Sequence, residues 1–119
     1  MTDKQKEFKA NVRTPNGTAI IDLHGEINAF AESSLITAYN RAVEANPTSI
    51  ILNFSDVDYI NSTGIALIVG LLAQARMSHL RLITCGLSDH YQEIFHITRL
   101  SDFMTIHPDE VSALAEAMG

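Results

Sequence analysis

The chain has 119 residues, 46% of them hydrophobic, and a formal net charge of -6 from 14 acidic and 8 basic side chains. That length and apolar content suit one domain, 1–119, with a sizeable core, and the acidic balance removes the electrostatic footprint of a nucleic-acid binder. The polar start, Met1 to Glu7, lacks the apolar stretch of a secretory signal, and the longest apolar run, Gly64 to Ala73, is far short of the ~20 residues that span a bilayer, so the expectation is a cytoplasmic protein with no direct membrane insertion.

The first expected strands are Phe8 to Val12 and Thr18 to Leu23, joined at Pro15-Asn16-Gly17, where an Asn-Gly pair favours the positive φ angles of a tight reversal. From Ala31 to Ala45, the residues Leu35, Ile36, Tyr39, Ala42 and Val43 recur at helical spacing, and Asn46-Pro47 ends the helix because the residue before proline is pushed out of helical geometry. Ser49 to Phe54 is a nearly continuous β-branched and aliphatic run, as expected of a central strand covered on both faces. A helix from Ser62 to about Met77 follows. A strand then opens at Leu80, and Ser88-Asp89 starts a short helix through about Phe95. Phe103 to Ile106 reads as the last strand and Pro108 to Met118 as the last helix, with Pro108 at the first helical position. The order β-β-α-β-α-β-α-β-α predicts an α/β fold: a mixed, mostly parallel sheet of about five strands with about four helices packed on it.

The helix that begins at Asn61-Ser62-Thr63-Gly64 is the most informative element. Ile65, Ile68, Val69 and Leu72 share one face, expected to pack on the sheet, while Leu67 and Leu71 fall on another. With Ala66, Gly70 and Ala73 between them, the helix is apolar nearly all round until Gln74 and Arg76, so a second helix or a partner must cover the other face. Gly70 inside a helix costs up to ~1 kcal/mol relative to Ala, which points to close approach by a neighbour. At the start of the helix, Ser62 or Thr63 has two readings. Either hydroxyl caps the unpaired N–H groups of the first turn, or it accepts a phosphoryl group, which a helix N-terminus also stabilises.

Other chemistry finds little support. A serine-hydrolase elbow would need glycine where Ile60 stands, and neither a P-loop nor a dinucleotide fingerprint occurs, so no enzyme activity and no cofactor are expected. His90, Glu93 and His96 lie three apart but match no established zinc spacing, and no metal is expected. Asp56 and Asp58 suit a turn before Ser62. The single cysteine, Cys85, reads as a small core residue within a strand.

Leu23-His24-Gly25-Glu26-Ile27-Asn28 resembles the L-x-G-E-[LI]-D loop of STAS domains, and the segment from Asn53 to Gly64 resembles their phosphorylation segment. The chain is similar over its whole length to bacterial anti-sigma factor antagonists. That resemblance implies a non-enzymatic, phosphorylation-controlled partner-switching protein. It would bind a serine kinase/anti-sigma factor of the histidine-kinase-like ATPase type when unmodified, release it when Ser62 is phosphorylated, and be reset by a PP2C-type phosphatase, with consequences for transcription. Ser62 is the implied acceptor ahead of Thr63. The implied partner-binding surface comprises Ile27, Asn28, Phe30, Asp56, Asp58, Asn61, Ser62, Thr63, Gly64, Leu67 and Leu71, with Ile27, Phe30, Leu67 and Leu71 as its apolar part. A homodimer through the same apolar surface stays open. Where the family has aspartate, this chain has Asn28 and Asn61; an amide keeps the hydrogen bonding but loses the charge. Those two positions favour an alternative: an unmodified STAS structural subunit of a membrane transport or signalling complex.

Overall fold

The run beginning at Ser49 forms the middle of the molecule. In the computed structural model, which describes residues 7–119 and therefore leaves Met1 to Lys6 outside it, this run is strand β3 (Ser49–Ile60). It stands third in a five-stranded sheet ordered β1-β2-β3-β4-β5, with β1 Lys9–Arg13, β2 Ala19–Ile27, β4 Arg81–Cys85 and β5 Thr105–His107. The opening pair is antiparallel and the remaining pairs are parallel. The hairpin reverses through Asn16 and Gly17, at φ 51° and 79°, the positive values that Asn-Gly tolerates.

Parallel strands need crossovers, and four helices supply the layers: α1 Glu32–Glu44, α2 Ser62–Met77, α3 Asp89–Ile97 and α4 Glu110–Met118. Alternate β3 side chains serve opposite faces. Ile50, Leu52 and Phe54 join the larger core with Leu35 of α1, Ile68 of α2 and Phe95 of α3, whereas Ile51 joins Ile20, Ile83 and Cys85 under Ala113 and Ala117 of α4. The Phe54 and Phe95 rings meet edge to face at 5.8 Å between centroids. Burial pushes the Cys85 thiol up to about 11, so it stays an un-ionised core group. No described helix is long and apolar enough to cross a membrane.

Several boundaries differ from the sequence reading. Both central strands run further: β2 reaches Ile27 and β3 reaches Ile60, so the Gly-Glu segment, Asp56 opposite His24 and Asp58 at a register shift all lie within strands, not in a turn. Pairing with β4 stops at Asn53 opposite Cys85, and beyond it β3 follows β2 alone, taking up two register shifts. That two-stranded extension has one neighbour fewer, which is why polar residues fit there. Pro108 precedes the last helix instead of opening it; Asp109 is the cap, accepting from the Ser112 N–H at 2.9 Å. Along α1 the buried set is Leu35, Ala38, Tyr39 and Ala42, and Ile36 and Val43 turn outward.

One ion cluster ties the sheet edge to α4. The Arg13 guanidinium grips Asp22 through Nε to Oδ2 at 2.6 Å and Nη2 to Oδ1 at 2.8 Å, and also reaches Glu110 Oε1 at 2.7 Å. Hydrogen bonding from Arg13 holds the Asp22 carboxyl below the usual carboxylate range. A group with a lowered folded-state pKa gives its stabilisation above its unfolded value, and loses it as pH falls through the folded one. Arg13→Gln is therefore expected to cost about 1 kcal/mol at neutral pH in urea unfolding, a gap that shrinks below about pH 4 as Asp22 protonates.

Candidate phosphoacceptor turn and docking face

The turn that carries Ser62 is built where β2 and β3 end together. Ile27 pairs with Ile60, and the Asn61 N–H donates to the Ile27 carbonyl at 3.2 Å. Three residues on, Gly64 passes so close to the same carbonyl that a Cβ there would lie 2.1 Å from the Ile27 oxygen and 2.9 Å from Ile60 Cγ2. Only glycine fits. Tyr91 of α3 completes the support: its hydroxyl accepts from the Ile60 N–H at 2.8 Å and donates to the Ile60 carbonyl at 3.4 Å, satisfying backbone that β4 no longer pairs.

Asn61, not a hydroxyl residue, caps α2. Its Oδ1 accepts from the Gly64 N–H at 2.8 Å, so Ser62 and Thr63 sit exposed in the first turn with the capping done for them. Asn28 does the same for the short 3-10 turn Ala29–Ala31, accepting from the Phe30 N–H at 2.9 Å. Both amides flank Ser62 without charge, and no acidic residue stands in the first turn of α2. A phosphoryl group would bring the first charge to the positive end of the helix dipole.

The close approach at Gly64 also fixes how α2 is rotated. Gly64, Ile68, Leu71, Leu72 and Ala75 turn inward, at steps of four, three, one and three residues. Two expected docking residues are thereby corrected: Leu71 is 4% exposed and Ile27 0%, both packed in the core. Leu67 is half-buried. Val69, expected against the sheet, is 45% exposed, and Gly70, expected to meet a neighbour, faces open space. The outward face instead reads Ser62, Ala66, Val69, Gly70, Ala73 and Met77. Phe30, 90% exposed, stands on the turn beside the start of α2. Sequence reasoning missed this stripe because Ile65, Ile68, Val69 and Leu72 gave an equally regular periodicity. It also missed Tyr91, although the Ser88 cap sets Tyr91 and Phe95 four apart on the buried face of α3.

Asp56 and Asp58 are exposed on β3. Asp56 Oδ2 lies 3.2 Å from His24 Nδ1, and it is four residues before the strand's end, about 13 Å at a rise of ~3.3 Å per residue. It therefore sits back from the Ser62 turn, whereas Ile27, Asn28, Phe30, Asn61, Ser62, Thr63 and Gly64 are brought together. His90, Glu93 and His96 lie on the exposed side of α3, where His96 Nδ1 meets Ser101 Oγ at 3.1 Å.

Residues 9–113 match the STAS domain, and the chain belongs to the STAS domain family. It is similar to the anti-sigma-B factor antagonist of Staphylococcus aureus, 28% identical over 87 residues that cover 73% of this chain and 81% of that protein. Its fold matches that of an anti-sigma factor antagonist from Mycobacterium paratuberculosis with a TM-score of 0.80, at 17% identity over 95% of this chain and 96% of the other. SpoIIAA of Bacillus, in its phosphorylated form, shares the fold at a TM-score of 0.69 and 22% identity, over 92% of this chain and 98% of that one.

The packing at the turn gives a direct test. Gly64→Ala should destabilise the protein by about 3 kcal/mol in urea unfolding, because the added methyl meets backbone that cannot move aside. Asn61→Ala should cost about 1 kcal/mol and Asn61→Asp close to none, since a carboxylate caps as well as an amide.

Proposed function

We propose that this chain is an anti-sigma factor antagonist that works by switching partners: a non-enzymatic, cytoplasmic protein whose docking face is open when Ser62 is unmodified and closed when it is phosphorylated. The partner is a serine kinase/anti-sigma factor of the histidine-kinase-like ATPase type, and a PP2C-type phosphatase restores the free hydroxyl. One observation carries this reading. Ser62 is exposed at the head of an outward apolar stripe, and Asn61 has taken over the capping that would otherwise occupy a hydroxyl there. The similarity to anti-sigma factor antagonists, and the phosphorylated form of a protein with this fold, support it.

The switch needs no change of fold. The partner's nucleotide supplies the phosphoryl group, Ser62 Oγ forms the new P–O bond and gives up its proton, and ADP leaves. The product carries roughly -1.5 to -2 charges at neutral pH, placed in an interface whose near neighbours, Val69, Ala66 and Phe30, offer nothing to pair with it. Within the modified protein the helix N-terminus stabilises that charge, whereas the bound partner must desolvate it. A hundredfold loss of affinity requires only ~2.7 kcal/mol. Docking would rest on Phe30, Val69, Ala66, Ala73 and the half-buried Leu67, with Asn28, Asn61, Thr63 and Gly64 shaping the turn.

Incubation with the cognate kinase and ATP should place phosphate on Ser62, read by mass spectrometry; phosphate on Thr63 alone, or none, overturns the assignment. In a binding titration with the same kinase, Ser62→Ala should retain wild-type affinity and Ser62→Asp should lose at least tenfold. Equal affinities for the two variants would refute the switch.

A further inference from the structure

At the opposite end of α2 from Ser62 a groove of about 330 Å³ opens over Leu72, Leu80, Phe103 and Met104, with Arg76 and Arg81 on its rim. Arg76 lies fourteen residues beyond Ser62, about 21 Å along the helix at ~1.5 Å per residue. Its guanidinium carbon stands 5.0 Å from the centre of the Phe103 ring. Such stacking uses the face of the guanidinium and leaves its N–H edge for an acceptor.

The charges around the groove are unevenly engaged. Asp102 is paired with Arg99 at 2.6 Å, and Glu116 accepts from Thr105 Oγ1 at 2.7 Å, meets His107 Nε2 at 2.6 Å and lies 3.4 Å from Arg81 Nη1. Among the described residues no carboxylate pairs with Arg76. Among the described residues Arg76 is thus a cation without a carboxylate partner, over an apolar floor, on a chain whose net charge is -6. Phe103, 52% exposed, keeps part of the apolar floor open to solvent. The groove is at the small end of ligand pockets, which run from about 300 to 1,000 Å³, so it has room for two or three side chains.

We infer that this groove is a second docking site, for a segment of a partner protein that carries a carboxylate next to large apolar side chains. The carboxylate pairs with Arg76 while the apolar groups settle over Leu72, Leu80 and Met104. Charge complementarity selects that occupant: Asp102 is engaged by Arg99, and Glu116 by Thr105, His107 and Arg81, so Arg76 is the charge left for an incoming segment, one that a basic segment would repel and a neutral one would leave without a carboxylate. Distance makes the site independent of the modification state of Ser62, since at about 21 Å exposed charges are screened beyond a Debye length of ~8 Å.

The test uses the full chain, two-dimensional amide NMR, and a pair of probe peptides, acetyl-Leu-Glu-Phe-amide and acetyl-Leu-Gln-Phe-amide. The acidic peptide should shift resonances of Arg76, Leu80 and Phe103 saturably, at least fivefold more tightly than the neutral one. Arg76→Gln should abolish that preference, and Phe103→Ala should weaken both peptides while the rest of the spectrum keeps its folded dispersion. Ser62→Asp should leave both affinities unchanged, so the docking site stands or falls separately from the proposed switch. Equal affinity for the two peptides, shifts confined to another surface, or the same shifts produced by sodium acetate alone would overturn the inference.

Discussion

The approach of Gly64 to the Ile27 carbonyl is the contact on which the arrangement of the Ser62 turn and the outward face of α2 depends. It joins the start of α2 to the last rung of the β2–β3 ladder, where Ile27 and Ile60 pair. A side chain at that position would push the helix away from the sheet by more than any neighbouring rotamer could absorb. Held there, α2 has one rotation about its axis, with Ile68, Leu71 and Leu72 in the core and Val69 toward solvent. The direction in which Ser62 points follows from the packing of a residue two positions away.

Polar support around the turn follows a division of labour. Asn61 satisfies the Gly64 N–H, Asn28 satisfies the Phe30 N–H, and Tyr91 satisfies the end of β3. Each removes a backbone group that would otherwise compete for the Ser62 hydroxyl or for water. Since both caps are amides, the turn is rigid yet electrically neutral. In the proposed switch a phosphoryl group on Ser62 would change the charge there without breaking a cap, and so would alter binding while leaving the fold intact.

The extension of β2 and β3 past β4 has a related effect. With one paired neighbour, residues from Ser55 onward keep an exposed side, and the polar segment Ser55-Asp56-Val57-Asp58 is accommodated through register shifts instead of a loop. The Ser62 turn is thus carried at the tip of a short ribbon, braced on one side by α3 through Tyr91. The ion cluster of Arg13, Asp22 and Glu110 lies on the other side of the sheet, under α4, and leaves the functional face alone.

Much of this was legible in the residues. Alternation of strand and helix, the central position of the Ser49 run and the start of a helix at Ser62 follow from local periodicity and end signals, because hydrophobic patterning and capping preferences act over a few neighbouring residues. The resemblance carried by Asn53 to Gly64 singled out Ser62 as the proposed acceptor. Which residue caps the helix, how far β2 and β3 extend, and which face of α2 looks outward were decided only in three dimensions. A helix apolar on nearly all sides contains several equivalent stripes, and sequence spacing alone cannot rank them. The carbonyl of Ile27, brought beside Gly64 by strand pairing across more than thirty residues of chain, removes that degeneracy and so determines that Leu71 is core and Val69 is surface.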